Sequence, residues 1–313
     1  MHRPSGSVRI FRFAGIDVYL HWMWAIVAYL QVKYRLDTYS TPAWALLEYV
    51  SLFGIVLMHE YGHALACRSV GGRAETILLW PLGGVAFVQA PMRPGAYLWS
   101  IAAGPLVNVA LLLPTWAAAY WVRQAMPGGD LAEFLTTLAF INTALLVFNL
   151  LPIYPLDGGQ ILRSVLWFFA GPANSLLVAA MIGLTVSGVA LLITLRFGEI
   201  WLALISAYAA WQSWQGFMTA KAWIKWQRWP RHAHATCPRC GTRPPVGEFW
   251  RCDGCDAPFD MIVTAGQCPS CGRSYLQIPC PECRRESPSQ AWLHAGTAAY
   301  QPLYAESPES PRY

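Results

Sequence analysis

The chain has 313 residues, of which 55% are hydrophobic and 12% charged, and its formal net charge is +5. Soluble globular domains carry about 25% charged residues, so this composition excludes an ordinary soluble domain and points to a membrane. The small charge excess reads as membrane topology rather than as affinity for nucleic acid.

Six spans are expected, near 17–33, 43–67, 96–122, 131–152, 173–195 and 198–220. A hydrocarbon core needs roughly 17–25 apolar residues per helix. No charge interrupts Pro94 to Val122, Phe134 to Leu156 or Ser164 to Leu195. The first span is closely bounded by Asp17 and Lys33 and contains His21. Arg3, Arg9 and Arg12 precede it with no small-residue cleavage site after it, so no cleaved leader is expected. With the N-terminus in the cytoplasm, inner segments hold eleven Lys and Arg and outer loops four. That imbalance favours cytoplasmic N- and C-termini in a prokaryotic plasma membrane.

The second span contains HEYGH, with His59, Glu60 and His63. On a helix, residues four apart lie one turn apart on one face. Two imidazoles so placed can hold one zinc ion, and Glu60, about 100° round the helix, can reach a water beside it. A third ligand is needed. Asp157, in NLLPIYPLDGGQ after the fourth span, emerges at the same face as the cytoplasmic half of span two. The competing role for Asp157 is to cap the helix that starts near Gln160. Zinc (+2), Asp157 and Glu60 sum to zero, which avoids most of the cost of isolated charge in a low-dielectric site. Three protein ligands with one open position describe a hydrolytic zinc.

These motifs carry a family resemblance. HEYGH in one span, GPLVN (Gly104–Asn108) in the next and Asn149, Pro152, Asp157 and Gly158 after the fourth together resemble the site-2 protease family of intramembrane zinc metalloproteases, in its compact six-span branch. The resemblance covers roughly residues 10–220. It implies hydrolysis of a peptide bond in or near a transmembrane segment of a membrane-protein substrate. By matching position it implies His59, His63 and Asp157 as zinc ligands and Glu60 as general base. Asn149 is implied near the metal, where its amide would donate to a developing oxyanion or tie the broken LPIYPLDG backbone together. Asn108 would contact the substrate backbone or brace the catalytic helix. Residues 73–90 are too short and broken to span and read as a re-entrant hairpin or loop. Its exposed edge, at Gly83, Gly84 and Val85 onward, would hold an unwound substrate by main-chain pairing.

After Trp229 the chain is rich in Pro, Cys and charge. Eight cysteines form four Cys-x-x-Cys knuckles: Cys237 with Cys240, Cys252 with Cys255, Cys268 with Cys271, and Cys280 with Cys283. Four knuckles make two structural zinc sites of four cysteines each, resembling a double zinc ribbon. The gaps suggest consecutive pairing, 237/240 with 252/255 and 268/271 with 280/283; a crossed arrangement is the alternative. Disulfides are the competing reading, opposed by a reducing cytoplasm. Cys67 reads as a small apolar filler.

The expected whole is an all-α polytopic membrane protein of about six transmembrane helices with a re-entrant β-hairpin or loop, plus a small zinc-ribbon C-terminal domain. Its parts are a zinc metallopeptidase domain (1–229), a cytoplasmic double ribbon (230–285) and a disordered tail (286–313). It would take one catalytic and two structural Zn2+. Its partners would be the bilayer, a membrane-protein substrate and a cytoplasmic protein docking on the ribbons. The arginines there form no basic stripe, so nucleic acid is not expected. The rival functions are a non-catalytic membrane scaffold and a zinc-handling or transport protein.

Overall fold

The N-terminal region is a hairpin where a first membrane span was expected. The computed structural model describes residues 6–80 and 83–292, and places β1 at Ser7–Phe13 and β2 at Ile16–His21. Ile16 and Val18 alternate with Asp17 and Tyr19, which suits a strand with one buried face. Both apolar side chains are fully buried, and Asp17, itself buried, pairs with the exposed Arg9 and Arg12. The helix that follows, α1 at Met23–Arg35, has only 13 residues. At 1.5 Å per residue it is about 20 Å long, short of a bilayer core of about 30 Å.

Four helices among the described residues are long and apolar enough to cross a membrane, not six: α2 (Pro42–Ser69), α3 (Pro94–Ala125), α4 (Asp130–Leu150) and α5 (Asp157–Arg196). α5 is broken at Gly171, whose φ of 76° takes the left-handed region that glycine tolerates, just before Pro172. The expected fifth span, 173–195, starts after that break. α6 (Ile200–Gln227) has the length but is not in that set. Its tryptophans and glutamines suit an interface better than a hydrocarbon core.

The fold is therefore mostly helical rather than all-α. β3 (Arg73–Trp80) and β4 (Gly83–Gln89) pair antiparallel, β2 runs parallel to β3, and the sheet order is β1-β2-β3-β4. Among the described residues β4 is thus an outer strand with one unpaired edge. The inner sheet residues Ile16, Val18, Ile77 and Leu79 pack with Trp24 of α1 and Val56 and Ala64 of α2, which seats β4 against the HEYGH turn. On the other side, α3 approaches α2 closely through small residues. A Cβ on Gly62 would lie 2.7 Å from the Ala103 carbonyl oxygen, the small-residue contact common between membrane helices. Glu48 of α2 is fully buried but accepts from Gln31 (2.8 Å), Arg35 (3.0 Å) and Tyr39 (2.5 Å), which ties α1 to α2.

The chain divides into two compact units, Met1–Trp223 and Ile224–Tyr313, rather than at 229/230. The last turn of α6 belongs to the second unit because Trp226 packs on Phe249 and donates to Glu282. In that unit β5 (Trp250–Arg251) pairs with β6 (Pro258–Phe259), and β7 (Gln277–Pro279) with β8 (Glu286–Pro288). Residues 286–292, expected as the start of a disordered tail, are folded. They form β8 and a 3-10 turn whose Trp292 is buried in the unit's core. The rest of that expected tail, 293–313, lies outside the described residues.

Candidate metal centre

His59, Glu60 and His63 lie within one turn of α2 and are all buried. The imidazoles of His59 and His63 meet edge to face, centroids 4.7 Å apart. Asp157 is the first residue of α5, and its side chain does not cap that helix. Its Oδ2 instead faces the histidines, 3.0 Å from His59 Nε2 and 3.3 Å from His63 Nε2, with the two Nε2 atoms 3.0 Å apart. Bonds of about 2.0–2.1 Å to a tetrahedral ion set its donors about 3.3 Å apart. The triangle therefore fits a single zinc ion with a slight outward relaxation.

The rest of each imidazole is committed in a way that leaves Nε2 to the ion. His63 Nδ1 lies 2.9 Å from the Ser100 carbonyl oxygen, which can only accept. His59 Nδ1 lies 2.6 Å from Asn108 Oδ1. Such partners fix the tautomer and ring orientation of metal-binding histidines. Asn108 is fully buried and both ends of its amide are used, the other donating to Asn142 Oδ1 at 2.8 Å. Of the two roles expected for Asn108, substrate contact and bracing of the helix that carries HEYGH, these bonds favour the second.

Glycines make room for the cage. A Cβ on Gly104 of α3 would collide with the His63 imidazole and stand 2.8 Å from His59 Nε2. Gly104→Ala is expected to abolish metal binding here while leaving the cysteine sites loaded, as elemental analysis of the purified chain would read. The pair after Asp157 has an equivalent role. A Cβ on Gly158 would strike the Leu150 carbonyl, and one on Gly159 would lie 2.6 Å from the Ile153 carbonyl. The PLDGG turn can fold under the end of α4 only with glycine there.

Glu60 is not among the three donors. Its Oε2 accepts the backbone N–H of Ala86 in β4 at 3.0 Å. Gly83, Gly84 and Val85 form the start of the same strand, opposite Trp80, Leu79 and Leu78 of β3. Asn149 stands in the last turn of α4, half-buried, and among the described residues its side chain makes no hydrogen bond. Three contributors went unread in the sequence: Asn142, the Ser100 carbonyl and the Ala86 N–H. Only Asn142 left a signal, an amide inside an apolar run.

Residues 118–195 match peptidase family M50. The segment includes Asn142, Asn149 and Asp157 but not HEYGH. A zinc metalloprotease of Methanocaldococcus jannaschii is 34% identical over 203 residues, 64% of this chain and 58% of that protein. Stage IV sporulation protein FB of Bacillus subtilis is 35% identical over 112 residues, 34% of this chain and 36% of its own length. A solved site-2 protease from Methanocaldococcus jannaschii is 31% identical and covers 67% of this chain and 95% of its own, with a TM-score of 0.49. This chain belongs to peptidase family M50, the site-2 proteases. The M50 chain spans somewhat over half the length of the first curated relative and about a third of the second.

The second unit of this M50 protein holds two further clusters. Cys237 and Cys240 meet Cys280 and Cys283, while Cys252 and Cys255 meet Cys268 and Cys271. This overturns the consecutive pairing: the knuckles are nested, one site inside the other. Sulfur separations are 3.8 and 3.9 Å in the outer site, 3.5 and 3.7 Å in the inner. Zn–S bonds of about 2.3 Å in a tetrahedron require about 3.8 Å, so both clusters suit zinc. In the inner site the Tyr275 hydroxyl donates to Cys252 Sγ at 3.3 Å, and the Gly254 N–H does so at 3.4 Å. Chiefly through Tyr275, these bonds hold the Cys252 thiol below its ordinary value, which favours the thiolate that a metal needs.

Proposed function

We propose that this chain is an intramembrane zinc endopeptidase that hydrolyses a peptide bond in or beside a transmembrane segment of another membrane protein. One observation carries the reading: a carboxylate, Glu60, stands beside a three-donor cage without belonging to it. A scaffold has no use for that carboxylate. A transporter would want ligands strung along a path, whereas these cluster at one depth.

His59, His63 and Asp157 would hold the ion. When bound, zinc supplies Lewis acidity, polarising the scissile carbonyl and acidifying water. Glu60 takes the proton of the attacking water at a carboxylate oxygen, then passes it to the leaving amine. The amide of Asn149 is suited to donate to the oxyanion. The two cysteine clusters would each take a structural zinc, giving three ions per chain with the cage. The ribbon unit would serve a cytoplasmic protein partner. The distribution of lysine and arginine favours both termini in the cytoplasm.

The free edge of β4 is suited to hold substrate. The Ala86 N–H points away from β3 toward Glu60, so by strand alternation the Gly84 N–H points the same way. An unwound substrate pairing there would run past Glu60. Gly84→Pro removes that N–H without removing a bond to β3. It is expected to lower cleavage at least tenfold with the zinc count intact. Undiminished cleavage in membranes would exclude pairing at this position. The function itself is tested by co-expression with single-span candidate substrates. A shortened product that requires His59, Glu60 and Asp157 supports a protease; zinc-loaded chain with no product across such a panel favours the scaffold.

A further inference from the structure

α3 and α4 share a buried pair of amides that the reaction itself does not require. Asn108 and Asn142 are both fully buried. A buried amide is costly unless hydrogen-bonded, and these two satisfy each other and one thing more. Asn142 Nδ2 donates to the Asn108 backbone oxygen at 2.9 Å. Asn108 Nδ2 donates to Asn142 Oδ1 at 2.8 Å. Asn108 Oδ1 then lies 2.6 Å from His59 Nδ1.

The direction of this chain is fixed at its far end. A backbone carbonyl only accepts, so the atom of Asn142 facing it must be the NH2 group. Asn142 Oδ1 therefore faces Asn108 and must accept, so Asn108 presents its own NH2 group. That leaves Asn108 Oδ1 toward His59, where it accepts, and the proton of the imidazole must sit on Nδ1. Nε2 is left with a lone pair, aimed at Asp157 and His63. Without Asn142, the Asn108 amide could turn over and donate to Nδ1. His59 would then carry its proton on Nε2, where it blocks the ion.

We infer that Asn142 is a positioning residue that sets the tautomer of His59 through Asn108. The inference rests on the reading of His59, His63 and Asp157 as a zinc site. Its effect falls on one ligand only, since His63 is set separately by the Ser100 carbonyl.

A simple bond between helices would also lower stability when removed, so the test reads metal affinity in a double-mutant cycle. The full-length chain in detergent is titrated with Zn2+ against a competing chelator, and retained zinc is counted per chain. Asn142→Leu keeps the branched shape and removes both polar ends. It is expected to weaken zinc at the membrane cage about tenfold, the lower range for outer-shell partners, with the cysteine sites unchanged. In an Asn108→Ala background the same change is expected to weaken it no further. An equal loss in both backgrounds, or no loss in the wild-type background, overturns the relay. A wild-type chain that holds zinc only at its cysteines overturns the underlying site reading instead.

Discussion

Glu60→Gln is expected to lower substrate cleavage about a hundred- to ten-thousand-fold, the range ascribed to a positioned general base, with no change in bound zinc. The substitution is nearly isosteric. The glutamine carbonyl can still accept the Ala86 N–H that the carboxylate accepts at 3.0 Å, so the side chain stays in place. None of the three donor atoms, on His59, His63 and Asp157, is touched. What disappears is an oxygen able to take a proton from the attacking water and return it to the leaving amine. The measurement pairs cleavage of a co-expressed single-span substrate with elemental analysis of the purified chain. Cleavage that persists with zinc in place removes Glu60 from the base role. Lost zinc would show instead that Glu60 is needed to balance the charge of the cage. His59→Ala is the useful companion, because it should lose cleavage and the membrane zinc together.

What could be read in advance follows from how local each feature is. His59, Glu60 and His63 are one turn of one helix, so their spacing alone put them on one face. Asp157 is distant in sequence, and it is the tertiary fold that brings its carboxylate to the imidazoles. The first span was misread for an opposite reason. Apart from Asp17 and His21, IDVYLHWMWAIVAYL is apolar, and hydropathy cannot separate a strand followed by a short helix from one span. Only its pairing with β1 and β3 decides that. The hairpin at 73–89 was visible in its broken pattern. That its edge N–H would meet Glu60 was not, because that contact depends on how the sheet seats on α2. Asn142 shows the same limit: an amide in an apolar run announces a partner, but not which one.

The nested cysteine pairing makes the sharpest prediction for the second unit. Cys240→Ser with Cys283→Ser is expected to remove one zinc, because both belong to the outer site. Cys240→Ser with Cys255→Ser is expected to remove two, because it breaks both sites. Consecutive pairing reverses these outcomes, so counting zinc in the two double variants settles the arrangement without further structure. The consequences for folding are large. A small core rarely supplies more than about 3–5 kcal/mol, whereas structural zinc contributes an apparent 10–16 kcal/mol or so in zinc-finger peptides. The core here includes four of the ligands themselves, Cys237, Cys252, Cys268 and Cys280, packed with Trp250, Phe259, Ile278 and Trp292. Breaking the outer site should free Trp292, whose carbonyl accepts from Thr236 beside Cys237. Breaking the inner site should release the 252–271 loop alone. Limited proteolysis reads the difference: cuts spread across 237–292 in the first case and stay within 252–271 in the second.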